Sequence, residues 1–170
     1  MTDYPDFVSQ TIKKLGFWDY SHVSISTDSL MPTFYSFVGK HGFREEVLIE
    51  HPTFRGKDIP CVLFRLPVDQ KELDNIEKEI KHFVENKHEY KYSYIGLMLL
   101  YLRIAIASKK RFTCTGFVLR TIRKHTDLIK KNSWYICNPN DINKHFSKQK
   151  IFEGTIKSMI ELMNNGTIKL

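Results

Sequence analysis

Phe112-Thr113-Cys114-Thr115-Gly116-Phe117-Val118 decides how this chain of 170 residues is read. The residues after it, Phe117-Val118-Leu119-Arg120-Thr121-Ile122-Arg123-Lys124, contain no Gly or Pro and place Val118 and Ile122 four apart, so a helix is expected from Cys114 to about His125. Thr113 has the side chain of an N-cap. Cys114 then falls in the first helical turn, where unsatisfied N–H groups and the helix dipole favour a negative sulfur. A thiol held there becomes a nucleophile near neutral pH. The competing reading is a buried cysteine that packs as a small hydrophobe.

A nucleophilic thiol needs a base, and His22 is the best placed of seven histidines. His22-Val23-Ser24-Ile25-Ser26 alternates polar and β-branched residues and reads as a strand. Val23 and Ile25 would face a core, leaving His22 at a strand end on the polar side. His82 and His88 lie on or after a charged helix, and His41, His51, His125 and His145 have polar or basic neighbours. A surface histidine is the competing reading for each of them.

Ser21-His22-Val23-Ser24-Ile25, then Tyr35-Ser36-Phe37, and much later Phe112-Thr113-Cys114-Thr115-Gly116-Phe117-Val118 together resemble the circularly permuted papain-like hydrolases of the NlpC-type amidase superfamily. In that family the histidine strand precedes the cysteine helix. Lesser similarities are a strand within residues 58–68, Tyr90-Lys91-Tyr92 ahead of an apolar helix, a turn at Asn138-Pro139-Asn140-Asp141 and a closing strand at Phe152-Glu153-Gly154. The resemblance spans about residues 20–155. It implies an α+β, permuted papain-like fold, with a small antiparallel sheet packed against helices and the catalytic cysteine at a helix N-terminus. It also implies amide or ester chemistry through a thioester, by hydrolysis or acyl transfer, with Cys114 as nucleophile and His22 as base. No cofactor and no metal is implied. A polar residue that orients the histidine is expected on the strand after it; Ser36 is preferred and Tyr35 is the alternative, if 22–26 and 33–37 pair as a hairpin. Tyr90 and Tyr92 either line a cleft or pack. The family opens with a strand, whereas residues 1–6 here read as a poor one.

Length suits one domain covering residues 1–170, with residues 1–19 an atypical N-terminal segment and 156–170 a C-terminal extension. The two extreme ends read as loose. Cys61, Cys114 and Cys137 are odd in number and widely spaced. No paired metal-ligand spacing occurs, which argues against structural zinc. No apolar leader segment is visible, and free thiols in the cytoplasm are the expectation. The apolar run at residues 94–107, broken by Arg103, is too short to span a bilayer; it suits a buried helix, with peripheral membrane contact as an alternative.

The net charge is +7. Residues 103–131 hold nine Lys and Arg against one acid, Asp127. Arg120, Arg123 and Lys124 share a helix face, and an anionic ligand is the expected partner of that basic region, beside an amide- or ester-containing substrate. A solvated helix face is the plain alternative, and no nucleic-acid motif accompanies the charge. A catalytically inactive interaction module, binding an anionic partner through its basic face, is the functional alternative to the hydrolase.

Among the remaining elements, residues 59–66 read as a strand. Asp69 and Glu72 form a capping box for the helix carrying Leu73, Ile76, Ile80, Phe83 and Val84. Further short elements are expected at residues 5–16, 47–49, 134–137, near Asp141 and at 150–153.

Overall fold

The computed structural model describes residues 1–5, 7–28, 33–47, 58–104, 108–129 and 137–166. The architecture is α+β. Helix α1 spans Phe7–Gly16; strands β1 (Thr33–Val38) and β2 (Gly42–Val47) follow, then β3 (Pro60–Phe64) and helix α2 (Gln70–Glu85). Next come β4 (Lys91–Tyr92), α3 (Tyr94–Tyr101), β5 (Arg111–Phe112), α4 (Cys114–His125), α5 (Pro139–His145), β6 (Lys150–Thr155) and α6 (Ile156–Asn164). The strands form three two-stranded sheets, β1 with β2, β3 with β6, and β4 with β5, rather than one small sheet. The chain forms two compact units. Met1–Phe34, Glu46–Leu66 and Pro139–Leu170 make the first; Tyr35–Glu45 and Pro67–Asn138 make the second.

The first unit is organised around its N-terminal residues. Thr2 forms antiparallel bridges to both His22 and Cys61. The Thr2 amide donates to the His22 carbonyl at 2.9 Å, and the His22 amide donates back to the Thr2 carbonyl at 3.0 Å. On the other side the Asp3 amide donates to Pro60, and the Val62 amide to Met1, each at 2.9 Å. Met1, Thr2 and Tyr4 are buried, so the segment expected to be loose is a rung between the histidine segment and β3. Polar side chains fasten α1 to it: Gln10 and Lys13 hold the Asp3 carboxylate at 2.8 and 2.6 Å. β3 runs antiparallel to β6, with Cys61 opposite Gly154 and Val62 opposite Glu153. The expected C-terminal extension contains a capped helix, α6, whose Ile156 and Met159 are buried.

The second unit is built on phenylalanines. Phe37 (β1), Phe43 (β2), Phe83 (α2), Phe112 (β5) and Phe117 (α4) are all buried. Phe37 lies 5.5 Å from Phe43, 5.2 Å from Phe112 and 5.4 Å from Phe117, and Phe83 lies 5.1 Å from Phe117, ring centre to ring centre. Tilted and edge-on geometries dominate, as ring quadrupoles prefer. β1 pairs with β2; the hairpin considered for 22–26 with 33–37 is not found among the described residues. The turn between them needs Gly42: its φ is +69°, and a Cβ there would lie 3.0 Å from the Tyr90 carbonyl oxygen. Helix α2 has the capping box expected from Asp69 and Glu72. Helix α3 is shorter than the apolar run, since the chain turns at Arg103 with φ +54°. The strand expected at 134–137 lies largely outside the described residues.

Two-residue strands β4 and β5 run parallel, Lys91 beside Arg111 and Tyr92 beside Phe112. Each leads directly into a capped helix: Ser93 accepts from the Gly96 amide, and Thr113 from the Gly116 amide, each at 3.0 Å. The Ser93 amide donates to the Phe112 carbonyl at 2.9 Å. A Cβ on Gly96 would lie 3.6 Å from the Thr113 methyl group. The heads of α3 and α4 are thus side by side.

Phe37→Ala and Phe117→Ala should each lower unfolding stability by about 3–5 kcal/mol, because each deletes a sealed ring and leaves a cavity. Urea denaturation followed by circular dichroism measures this. A loss below about 1 kcal/mol at both positions would show that the rings do not organise this unit.

Candidate functional site

Cys114 is where the sequence places it, the first residue of α4 directly after the Thr113 cap. The cap works through its side chain, and the Phe117 amide also donates to the Thr113 carbonyl at 3.0 Å. The Thr113 and Thr115 hydroxyls lie 3.2 Å apart, one on each side of the cysteine. Cys114 is 7% exposed. Phe112 just before the cap and Phe117 one turn later both enter the phenylalanine cluster, which fixes the pitch and rotation of the helix start.

His22 is the one histidine among the described residues that is buried, at 5% exposure. Its backbone is held from both directions by Thr2, and the Tyr4 ring lies 5.2 Å away, tilted against the imidazole. Ser21 accepts from the Tyr4 amide at 2.8 Å and keeps that aromatic neighbour in place. The imidazole Nε2 hydrogen-bonds to Glu46 Oε2 at 3.2 Å. Glu46 is 1% exposed, and its second oxygen, Oε1, makes no hydrogen bond among the described residues. A carboxylate sealed from water needs compensation, and the imidazole is the group that supplies it.

Glu46 is the residue that sequence reasoning missed. The sequence points to β1, where Ser36 is fully buried and Tyr35 stacks on Phe43 at 6.3 Å. A hydrogen bond at the His22 ring comes from Glu46, near the end of β2. The available signal was Val38-Gly39-Lys40-His41-Gly42, a turn that returns the chain as a second strand. Strict alternation hid the strand itself, because Gly42, Phe43 and Glu46 are buried while Arg44 and Glu45 are exposed. His22 and Glu46 belong to the first unit, Cys114 and Ser36 to the second.

Three of the other histidines have polar side-chain partners. His41 contacts Arg44, and His82 contacts the Tyr90 hydroxyl. Tyr90 packs on Phe83 with ring centres 4.4 Å apart, the packing alternative of the two considered. His125 contacts Glu79, and His51 lies outside the described residues. No cluster of three or more His, Cys, Asp or Glu suited to a metal occurs among the described residues.

The basic face of α4 is less open than its sequence suggests. Glu79, buried on α2, meets Arg120 at 3.4 Å and Lys124 at 2.8 Å, besides His125. Arg120 also lies over the Phe112 ring at 5.2 Å. Arg120 and Lys124, two of the three residues expected to face an anionic ligand, join α4 to α2 through Glu79. Elsewhere in the region, Lys110 is held by Glu89 at 2.8 Å.

All three cysteines are free thiols. Cys61 is buried on β3, and that burial pushes its thiol up to about 11, against the opposing pull of the nearby N-terminal ammonium. At neutral pH it stays protonated and unreactive.

Comparison with protein-family models, with curated proteins and with solved structures gave no match.

The Cys61 proton makes alkaline stability measurable. An unfolded thiol ionises near about 8.5, while the folded one holds its proton to about 11, so the folded state binds more protons in that window. Stability attributable to Cys61 is full below pH ~8.5, falls as pH rises and levels off above about 11. From pH ~8 to ~10 the wild type should lose about 2 kcal/mol more than Cys61→Ala. Parallel curves for the two proteins in chemical denaturation would contradict the assignment.

Proposed function

We propose that the chain is a thiol hydrolase or acyltransferase acting on an amide or ester, with Cys114 as nucleophile, His22 as base and Glu46 as the residue that positions His22. The observation that carries this reading is the buried His22–Glu46 pair. Two ionisable groups withdrawn from water and hydrogen-bonded to each other are costly as scaffold and common where a proton must be moved. The resemblance to permuted papain-like hydrolases supplies the order of histidine before cysteine. Glu46 replaces Ser36 as the orienting residue, since a carboxylate holds an imidazole more firmly than a hydroxyl does.

The chemistry follows from those assignments. Glu46 engages Nε2, so Nδ1 is the nitrogen assigned to the thiol proton. Deprotonated Sγ attacks the carbonyl carbon, and the oxyanion is received by the Cys114 amide at the head of α4. His22 returns the proton to the departing nitrogen or oxygen as the carbon–heteroatom bond breaks, leaving a thioester. Water, or an acceptor hydroxyl or amine, then gives a proton to His22 and attacks the thioester. The product leaves as the acid, ester or amide, and Sγ is regenerated.

Iodoacetamide labelling read residue by residue by mass spectrometry tests the pairing. At pH ~7 Cys114 should label at least about tenfold faster than Cys61, and His22→Asn should remove most of that advantage. Glu46→Ala should narrow the pH range over which Cys114 is reactive, and Glu46→Gln should restore it in part. A Cys114 rate indifferent to His22 would separate the two residues functionally. For turnover, an activity-based probe panel should mark the wild type and leave Cys114→Ser unmarked; His22→Asn should lower marking by roughly 100-fold or more.

A further inference from the structure

Helix α3, YIGLMLLY, is apolar around its whole circumference. A helix of that composition is ordinarily buried on all sides. Leu97 and Leu100 are buried, but Ile95, Met98 and Leu102 are 69%, 70% and 66% exposed. Their spacing of three and four puts them on one stripe. Tyr94 at the start and Ile104 after the turn extend the exposed apolar surface. Contiguous apolar surface of this kind marks a docking site.

The border of the patch identifies the occupant. Lys91 and Arg111 are register partners on parallel β4 and β5, so their side chains share a face, and both are exposed. Like charges set side by side on neighbouring strands are unfavourable without a counter-charge. Lys109, just before β5, is exposed as well. Residues 87–112 contain six Lys and Arg and one acid, Glu89, which already holds Lys110. A surface that pairs an apolar stripe with cations that meet no acid among the described residues fits a bilayer interface with anionic headgroups. A second copy of this chain fits less well, because a two-fold contact would bring two cationic rims together.

We infer that α3 docks this chain on an anionic lipid surface, lying in the interfacial plane with Ile95, Met98 and Leu102 inserted and Lys91, Lys109 and Arg111 against the headgroups. No described helix is long and apolar enough to cross a membrane. The inference is independent of the chemistry proposed for Cys114.

The test is sedimentation of the full chain with phosphatidylcholine vesicles, with and without phosphatidylserine. The wild type should partition onto phosphatidylserine vesicles, and less as salt is raised. The triple variant I95S/M98S/L102S should partition at least about tenfold more weakly. K91E/R111E should do the same, and Cys114→Ser should bind as the wild type does. All these substitutions except Cys114→Ser lie at exposed positions, so far-ultraviolet circular dichroism should be unchanged for them. Failure of the wild type to bind phosphatidylserine vesicles, or binding that the apolar substitutions leave intact, overturns the inference. So does a concentration-dependent dimer in sedimentation equilibrium that I95S/M98S/L102S abolishes, since the occupant would then be a second copy.

Discussion

Edge-on and tilted packing among Phe37, Phe43, Phe83, Phe112 and Phe117 is the constraint on which the second unit turns. Each ring comes from a different element, and none of those elements could bury its own ring alone. β4 and β5 are two residues long, far below what an independent sheet requires. β5 joins both: the Phe112 ring enters the cluster while Arg111 and Phe112 pair with Lys91 and Tyr92 of β4. The start of α4 is fixed from both sides, by Phe112 before the cap and Phe117 after it, so the orientation of the Cys114 turn is a packing property.

Electrostatics complete that placement. Glu79 gathers Arg120, Lys124 and His125 from one face of α4, at spacings that bring them to a single carboxylate. Exposed ion pairs contribute little, but a buried acceptor shared by three donors specifies which face of the helix turns inward. Of the nine basic residues at 103–131, Arg120 and Lys124 pair with buried Glu79 and Lys110 pairs with Glu89.

Local signals carried far in this sequence. The Asp69–Glu72 capping box, the Thr113 cap, the limits of α4 and the strand at β3 were all legible, because each is written within a few consecutive residues. What was hidden depends on partners distant in the chain. Residues 1–3 show no strand pattern; they pair because Thr2 meets His22 on one side and Cys61 on the other. Glu46 sits in a strand whose burial does not alternate, so period-2 reasoning passed over it. The bond from Glu46 to His22 joins positions 24 apart and leaves no local trace. Ser36 was expected to orient His22 under a hairpin of 22–26 with 33–37; β1 pairs with β2, and Glu46 is a His22 partner that no local pattern announced.

The bond from the Ser93 amide to the Phe112 carbonyl has a mechanical meaning. α3 and α4 leave the same pair of strands, with Gly96 beside Thr113; a Cβ at Gly96 would come within 2.7 Å of the Ser93 hydroxyl that caps α3. A load applied along the outer face of α3 is therefore borne at Ser93, a few atoms from the cap that positions Cys114. The bond ends on Phe112, a member of the phenylalanine cluster, so the cluster shares that load. In engineering terms α3 is the long arm of a lever, the β4–β5 pair is its fulcrum, and the cysteine turn rides on the short arm.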